Sequence, residues 1–234
     1  MNKVFVIAEG GHNAMGCMRH TKLLIEEAKA CGADAFKMQA YSVDKIKETW
    51  QSRYAELKFS EHTKEEFKEL KEHCDKVGIE FFASAFDIEH FNWMEELGVK
   101  RHKIASRSIY DKELIKAMEA TGKPIIASLG KLDQRGIPKI KNCQYLFCIA
   151  EYPAYILENQ FPLKFDGNPY SGHSDHTQTM YWCREAVKRG ATIIEKHFTL
   201  SKDLPGNDMK GSANPTDMKD FITYTRQLEK GIAY

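Results

Sequence analysis

The chain has 234 residues, 42% hydrophobic and 29% charged, enough to bury one sizeable core and within the usual range of a single α/β barrel. Its 34 Lys and Arg stand against 33 Asp and Glu, a formal charge of +1, so neither a nucleic-acid surface nor an acidic tail is expected. No apolar run reaches the length of a membrane span or a signal h-region, and the six cysteines form no CxxC pair and sit mostly in apolar patterns, which predicts a soluble protein of the reducing cytoplasm.

Strand-like runs are predicted at residues 4–9, 35–39, 80–86, 102–106, 124–129, 145–150, 170–174 and 192–198. Amphipathic helices lie between several of them, with apolar residues at helical spacing such as Leu24, Ala28 and Cys31, or Phe67, Leu70, Cys74 and Val77. Gly32, Gly78, Gly98, Gly122 and Gly190 mark helix ends shortly before the next strand. This eightfold β/α rhythm predicts a (β/α)8 TIM barrel in one domain spanning residues 1–234, although the same rhythm also suits a doubly wound sheet. Residues 131–142 carry Gly136 and Pro138 without a clean apolar stripe, and residues 154–168 are short and hold Pro162 and Gly167. Helices five and six are therefore expected to be shortened or missing. Residues 41–62 are too long, aromatic and charged for a simple connector and are expected to fold as an active-site loop.

A parallel strand buried on both faces has no use for polar groups in its middle, so such groups belong at its carboxyl end, where α/β barrels place their chemistry. Every predicted strand supplies some. Glu9, Lys37, Gln39, Ser84, Lys103, Ser106, Ser128, Tyr152, Ser174, His176, Glu195 and His197 follow in chain order. Lys37 and Lys103 stand inside apolar strands, where an ammonium costs several kcal/mol unless it is paired. Glu9 and Glu195 are the expected pairing carboxylates, and two lysines among serine hydroxyls also form a cradle for a phosphate and a carboxylate. His176 and His197, each flanked by acids on a separate strand end, could hold a divalent ion with open positions left.

The runs Ile7-Ala8-Glu9-Gly10-Gly11, Lys37-Met38-Gln39, Lys103-Ile104-Ala105-Ser106, Tyr152-Pro153, Gly172-His173-Ser174-Asp175-His176-Thr177, Glu195-Lys196-His197-Phe198-Thr199-Leu200 and Pro205-Gly206-Asn207-Asp208 follow one another in order. Together they resemble the sialic acid synthase family, which makes N-acetylneuraminate and related nonulosonates. The resemblance implies a barrel that condenses phosphoenolpyruvate with an aldose sugar, requires a divalent metal, Mn2+ or Mg2+, and releases phosphate. It implies that His176 and His197 bind the metal. Lys37, Ser84, Lys103, Ser106, Ser128 and Ser174 would hold phosphoenolpyruvate; Glu9, Gln39, Tyr152 and Asp208 would face the acceptor, and Glu195 would line the same pocket. Glu9 or Glu195 would orient or deprotonate the water that adds to the phosphoenolpyruvate carbon.

The chain departs from that pattern at several positions. Ala14 and Met15 stand where a His and an Asn are usual in the first loop, Ala150 where an Asn or Ser is usual, Arg107-Ser108 where Gly-Glu is usual, and Met209 where a His is usual. Members of the family continue into a small antifreeze-like domain that reaches across a dimer, whereas this chain ends at Tyr234. The resemblance thus implies the catalytic barrel, with its mouth closed by the loop at 41–62, through Trp50 and Tyr54, or by a homodimer mate or separate lid-supplying partner. Two other readings stand beside it: a Schiff-base aldolase or lyase using Lys37 or Lys103, and a non-catalytic barrel that binds a sugar or a partner protein.

Overall fold

In the computed structural model, which describes residues 2–45 and 53–232, eight short strands pair in sequence order, all parallel, and the last returns to the first. They are β1 (Phe5–Glu9), β2 (Ala35–Ala40), β3 (Glu80–Ala85), β4 (His102–Ile104), β5 (Ile125–Ser128), β6 (Cys143–Cys148), β7 (Tyr170–Asp175) and β8 (Ile193–His197). The closed order selects the barrel over the doubly wound sheet. Side chains alternate between its interior and its helical coat. Ile7, Phe82, Ile126 and Leu146 share strand faces with Glu9, Ser84, Ser128 and Cys148, and at 0% exposure they fill the barrel floor beneath those polar groups.

Seven helices coat the described residues: α1 (Met18–Cys31), α2 (Tyr54–Phe59), α3 (Lys64–Val77), α4 (Ile88–Glu96), α5 (Lys112–Ala120), α6 (Tyr181–Lys188) and α7 (Pro215–Glu229). Local chemistry sets their limits. Thr63 and Glu66 form a capping box at the start of α3, Asn214 and Asp217 form another at α7 with Pro215 in its first turn, and Gly32 ends α1 in the left-handed region at φ 92°. Each inner face then buries its apolar stripe, Leu24, Ile25, Ala28 and Cys31 in α1 and Phe67, Leu70 and Cys74 in α3.

The two expected gaps in the coat are present. No helix joins β5 to β6, and only a 3-10 turn at Glu158–Gln160 lies between β6 and β7. Loop side chains cover β6 instead: Phe161 packs edge-on against Phe147, and Tyr145 donates its hydroxyl to Pro138 O at 2.5 Å. Six strands match their expected limits to within one residue at each end, and two differ by two residues. β4 stops at Ile104 because Ser106–Ser108 winds into a 3-10 turn, and β6 runs Cys143–Cys148 rather than 145–150, since the chain leaves the sheet at Ile149. Among the described residues no helix is long and apolar enough to cross a membrane.

Candidate active site

At the carboxyl ends of the strands lies a pocket of about 240 Å³. Register puts its walls together. Glu9 pairs with Lys37 across β1 and β2, Gln39 with Ser84 across β2 and β3, Ser84 with Lys103 across β3 and β4, and Ser174 with Glu195 across β7 and β8. Of the residues expected from the sequence, Glu9, Lys37, Gln39, Ser84, Lys103, Ser106, Ser128, Tyr152, Ser174, His176, Glu195 and Asp208 all line this one cavity. His197 stands at its edge, its ring 5.4 Å from that of His176 and 5.8 Å from that of Tyr152.

The deep wall is a charge network. Lys37 Nζ donates to Glu9 Oε1 at 2.5 Å and to Ser84 Oγ at 3.1 Å, and lies 3.7 Å from Glu195 Oε2. Gln39 Nε2 donates to the same Glu9 oxygen at 2.9 Å, and Ser174 Oγ donates to Glu195 Oε1 at 2.8 Å. Burial would push the Glu9 carboxyl up, but Lys37, His197 and Gln39 outweigh it and hold the group below its ordinary range. Burial likewise opposes the Lys37 ammonium, and Glu195 and Glu9 more than compensate, so its pKa is raised. Lys103 differs: burial lowers its pKa and Glu195, 3.6 Å away, offsets this only in part, with Lys37 adding to the fall. Its Nζ donates to Ser128 Oγ at 2.7 Å and to Ile104 O at 3.1 Å. The pocket therefore has one face where carboxylates neutralise a lysine and another where a lysine stands among hydroxyls with its charge only partly offset.

The two histidines expected to bind a metal stand close together. Nδ1–H of His176 donates to Ile149 O at 2.8 Å, a tautomer fixed by its carbonyl partner, which leaves Nε2 with its lone pair. His197 is 2% exposed, and neither of its ring nitrogens has a hydrogen-bond partner. A buried imidazole left wholly unsatisfied is costly unless something binds it. Glu9 Oε2 lies 3.6 Å from His197 Nε2, and the charge of His197 helps to hold Asp208 ionised against its burial. Two imidazoles with carboxylates close by are a donor set that fits a divalent ion with open positions, although among the described residues no three such groups already converge.

Four contributors were not singled out from the sequence. His12 sits 3.4 Å from Asp208, and Arg53, Arg107 and Lys131 line the pocket. His12 and Asn13 stand two positions before Ala14 and Met15, so the first loop does supply an imidazole and an amide; Asn13 Nδ2 donates to Phe198 O at 3.0 Å and Ser212 Oγ at 2.8 Å. The Gly10-Gly11-His12-Asn13 run held that signal. Cys148, read as a small hydrophobe, lines the pocket instead, its Sγ 3.8 Å from His176 Nδ1; burial pushes its thiol up but His176 and Ser106 bring it below its ordinary value. The loop at 41–62 enters through Arg53. Tyr54 turns away to donate its hydroxyl to Asp44 at 2.6 Å, and Trp50 lies outside the described residues.

The chain is similar to known proteins in sequence and in fold. The chain is 36% identical to an uncharacterized protein of Methanocaldococcus jannaschii, covering 97% of this chain and 71% of that relative. It is 32% identical to the N,N'-diacetyllegionaminic acid synthase of Campylobacter jejuni, covering 99% of this chain and 78% of that one. The crystal structure of N-acetylneuraminic acid (sialic acid) synthetase from Leptospira borgpetersenii, in complex with citrate, superposes with a TM-score of 0.88 at 30% identity, covering 100% of this chain and 86% of that one. The NeuB family model matches residues 24–233, from within α1 to beyond α7, and with a barrel and pocket of this kind the chain belongs to the NeuB family, an enzyme family of sialic-type acid synthases.

Proposed function

We propose that this chain condenses phosphoenolpyruvate with an aldose acceptor of the N-acetylmannosamine type, giving a nonulosonic 2-keto acid and phosphate. The observation that carries this reading is one cavity in which an anion-seeking face, Lys103 with Ser106 and Ser128, meets the carboxylates of Glu9, Glu195 and Asp208, with the unsatisfied imidazole of His197 at its edge. Lys37, Ser84, Lys103, Ser106, Ser128 and Ser174 hold the phosphate and carboxylate of phosphoenolpyruvate through charge-assisted hydrogen bonds. Gln39, Tyr152 and Asp208 orient the acceptor so that its aldehyde carbon meets carbon 3 of phosphoenolpyruvate. His176 and His197 would hold a divalent ion, Mn2+ or Mg2+, which when bound polarises the aldehyde oxygen.

Glu9, locked as an anion by Lys37, is a weak base and a good hydrogen-bond acceptor, which suits it to orient the water that adds at carbon 2. Glu195 Oε2 has no hydrogen-bond partner and is the open acceptor for that water's proton. Phosphate then leaves by C–O cleavage from the resulting adduct. The whole chain acts as one barrel unit in the cytoplasm, its mouth completed by the segment at 41–62, a homodimer mate or a lid-supplying partner.

Phosphate release and mass analysis of the product, with phosphoenolpyruvate, N-acetylmannosamine and Mn2+, test the proposal. Activity lost in EDTA and in the His176→Ala/His197→Ala variant is the expected result. Full activity in that variant would overturn the metal assignment, and no phosphate release with any aldose would overturn the reaction. The lowered pKa of Lys103 favours one second reading, a Schiff-base amine, which borohydride trapping of a pyruvoyl adduct would reveal. Lys37, held as an ammonium, does not suit that role.

A further inference from the structure

Behind the pocket, on the outer face of the sheet, a second buried ion pair performs no chemistry in the scheme above. Asp175 and Lys196 are register partners across β7 and β8, 0% and 1% exposed. Burying two charges costs several kcal/mol each before their attraction is counted, and an apolar pair of the same volume would avoid that cost. The charges have a geometric use. Lys196 Nζ spends its three protons on Asp175 Oδ2 at 2.8 Å, Thr177 O at 2.5 Å and Thr179 O at 3.2 Å. Asp175 also accepts from the Thr177 backbone N–H at 2.9 Å, Thr177 Oγ1 at 3.2 Å and Cys183 Sγ at 3.2 Å.

All but the Cys183 bond, which ties β7 to α6, join β7 to β8 or end on the segment just after His176. Because strand side chains alternate, each outward member of the pair directly precedes an inward histidine, Asp175 before His176 and Lys196 before His197. On the pocket side His176 is held by Ile149 O through its ring, by Ala154 N–H at 3.0 Å through its carbonyl, and by the Tyr152 ring at 4.2 Å. The outer pair fixes what those contacts leave loose, the displacement of β7 and its turn relative to β8.

We infer that Asp175 and Lys196 are positioning residues that set the separation of the His176 and His197 imidazoles, an inference that rests on the metal role proposed above for those histidines. The Asp175→Asn/Lys196→Met variant removes both charges together, so neither is left alone in the core. Calorimetric titration with Mn2+ alone is expected to show affinity about 10- to 100-fold weaker than in the parent, the range seen when groups that orient metal ligands are removed. Phosphoenolpyruvate affinity is expected to stay within about threefold. A pair that merely stabilised the fold would lower the melting temperature and leave Mn2+ affinity unchanged, and that result overturns the inference. Should the double variant fail to fold, isosteric Asp175→Asn alone is judged by the same two outcomes. In the metal-free chain, the nuclear Overhauser contact between the Tyr152 and His176 rings is expected to weaken and the ring signals of both histidines to shift. Unchanged ring signals also overturn the inference. If the parent binds no Mn2+, the metal role falls and the ring signals alone decide the positioning role.

Discussion

Lys37→Met removes the positive centre of the deep wall while keeping its length and most of its volume. In the parent, Lys37 is 1% exposed, bonded to Glu9 at 2.5 Å and 3.7 Å from Glu195. Without it Glu9 and Glu195, 4% and 3% exposed, lose the lysine they share, and only Glu195 keeps another, Lys103 at 3.6 Å. Breaking a buried pair in this way costs about 3–5 kcal/mol, which at a urea slope of about 2.5 kcal/mol/M lowers the unfolding midpoint by about 1.5 M. The sign with pH is fixed by Glu9. In the parent its lowered pKa contributes stability that is present above the ordinary carboxylate range and lost as pH falls through the folded value. In the variant, burial of Glu9 acts without Lys37, its strongest counter-charge, so acid costs the variant less than it costs the parent. The gap between parent and variant should shrink by more than about 1.4 kcal/mol between about pH 7.5 and about pH 5. Urea unfolding in EDTA at both pH values measures it. A gap below about 1 kcal/mol at the higher pH, or one equal at both, would refute the reasoning that Lys37 compensates buried charge.

Three other outcomes follow from the same geometry. Lys103→Met takes an ammonium from the face bonded to Ser128, and calorimetry should show phosphoenolpyruvate binding weakened by about 2–5 kcal/mol, some 30-fold or more; unchanged affinity would remove that anion's assignment to this face. His102 is 2% exposed and burial, against the pull of Glu95, pushes its pKa down to about 4, so stability falls as pH drops from the ordinary histidine value of 6.5 towards 4. About 3 kcal/mol is lost across that window, and unfolding curves of His102→Gln should lack this slope. Gly172→Ala would set a methyl 2.0 Å from Ile193 O, backbone that cannot step aside, and should lower the melting temperature by about 6 °C or more; a shift within about 1 °C would mean that β7 and β8 part at little cost.

Much of the site was legible because strand-end chemistry is a local signal. A lysine in Phe36-Lys37-Met38 or Lys103-Ile104 has no reason to sit in an apolar strand unless it points into a polar cavity, and alternation assigns that face residue by residue. The same argument failed for Cys148. Its neighbours Leu146 and Phe147 give no hint that the strand rises above the apolar floor at that residue, and only its register opposite Ser174 puts the thiol in the pocket. Arg53 and Lys131 carry no local signal, since nothing in a charged loop tells which cation folds over a barrel mouth, and Arg107 shows only as a residue standing where Gly-Glu is usual. Tyr54 shows the converse: an aromatic expected over the acceptor satisfies its hydroxyl on Asp44 instead.

By itself the sequence determined the number and order of the strands, the two trimmed connections and the residues able to carry anion, metal and proton chemistry. Periodicity, capping residues and the cost of burying a charge are all properties of short segments. Barrel closure, the pairing of Lys37 with both Glu9 and Glu195, the approach of His12 to Asp208, and the clamp of Asp175 and Lys196 behind the two histidines were decided only by the tertiary structure. The strand pairings are matters of register, and a shift of one residue would turn those strand side chains to the opposite face, while His12 meets Asp208 only because two loops fold over the same barrel mouth.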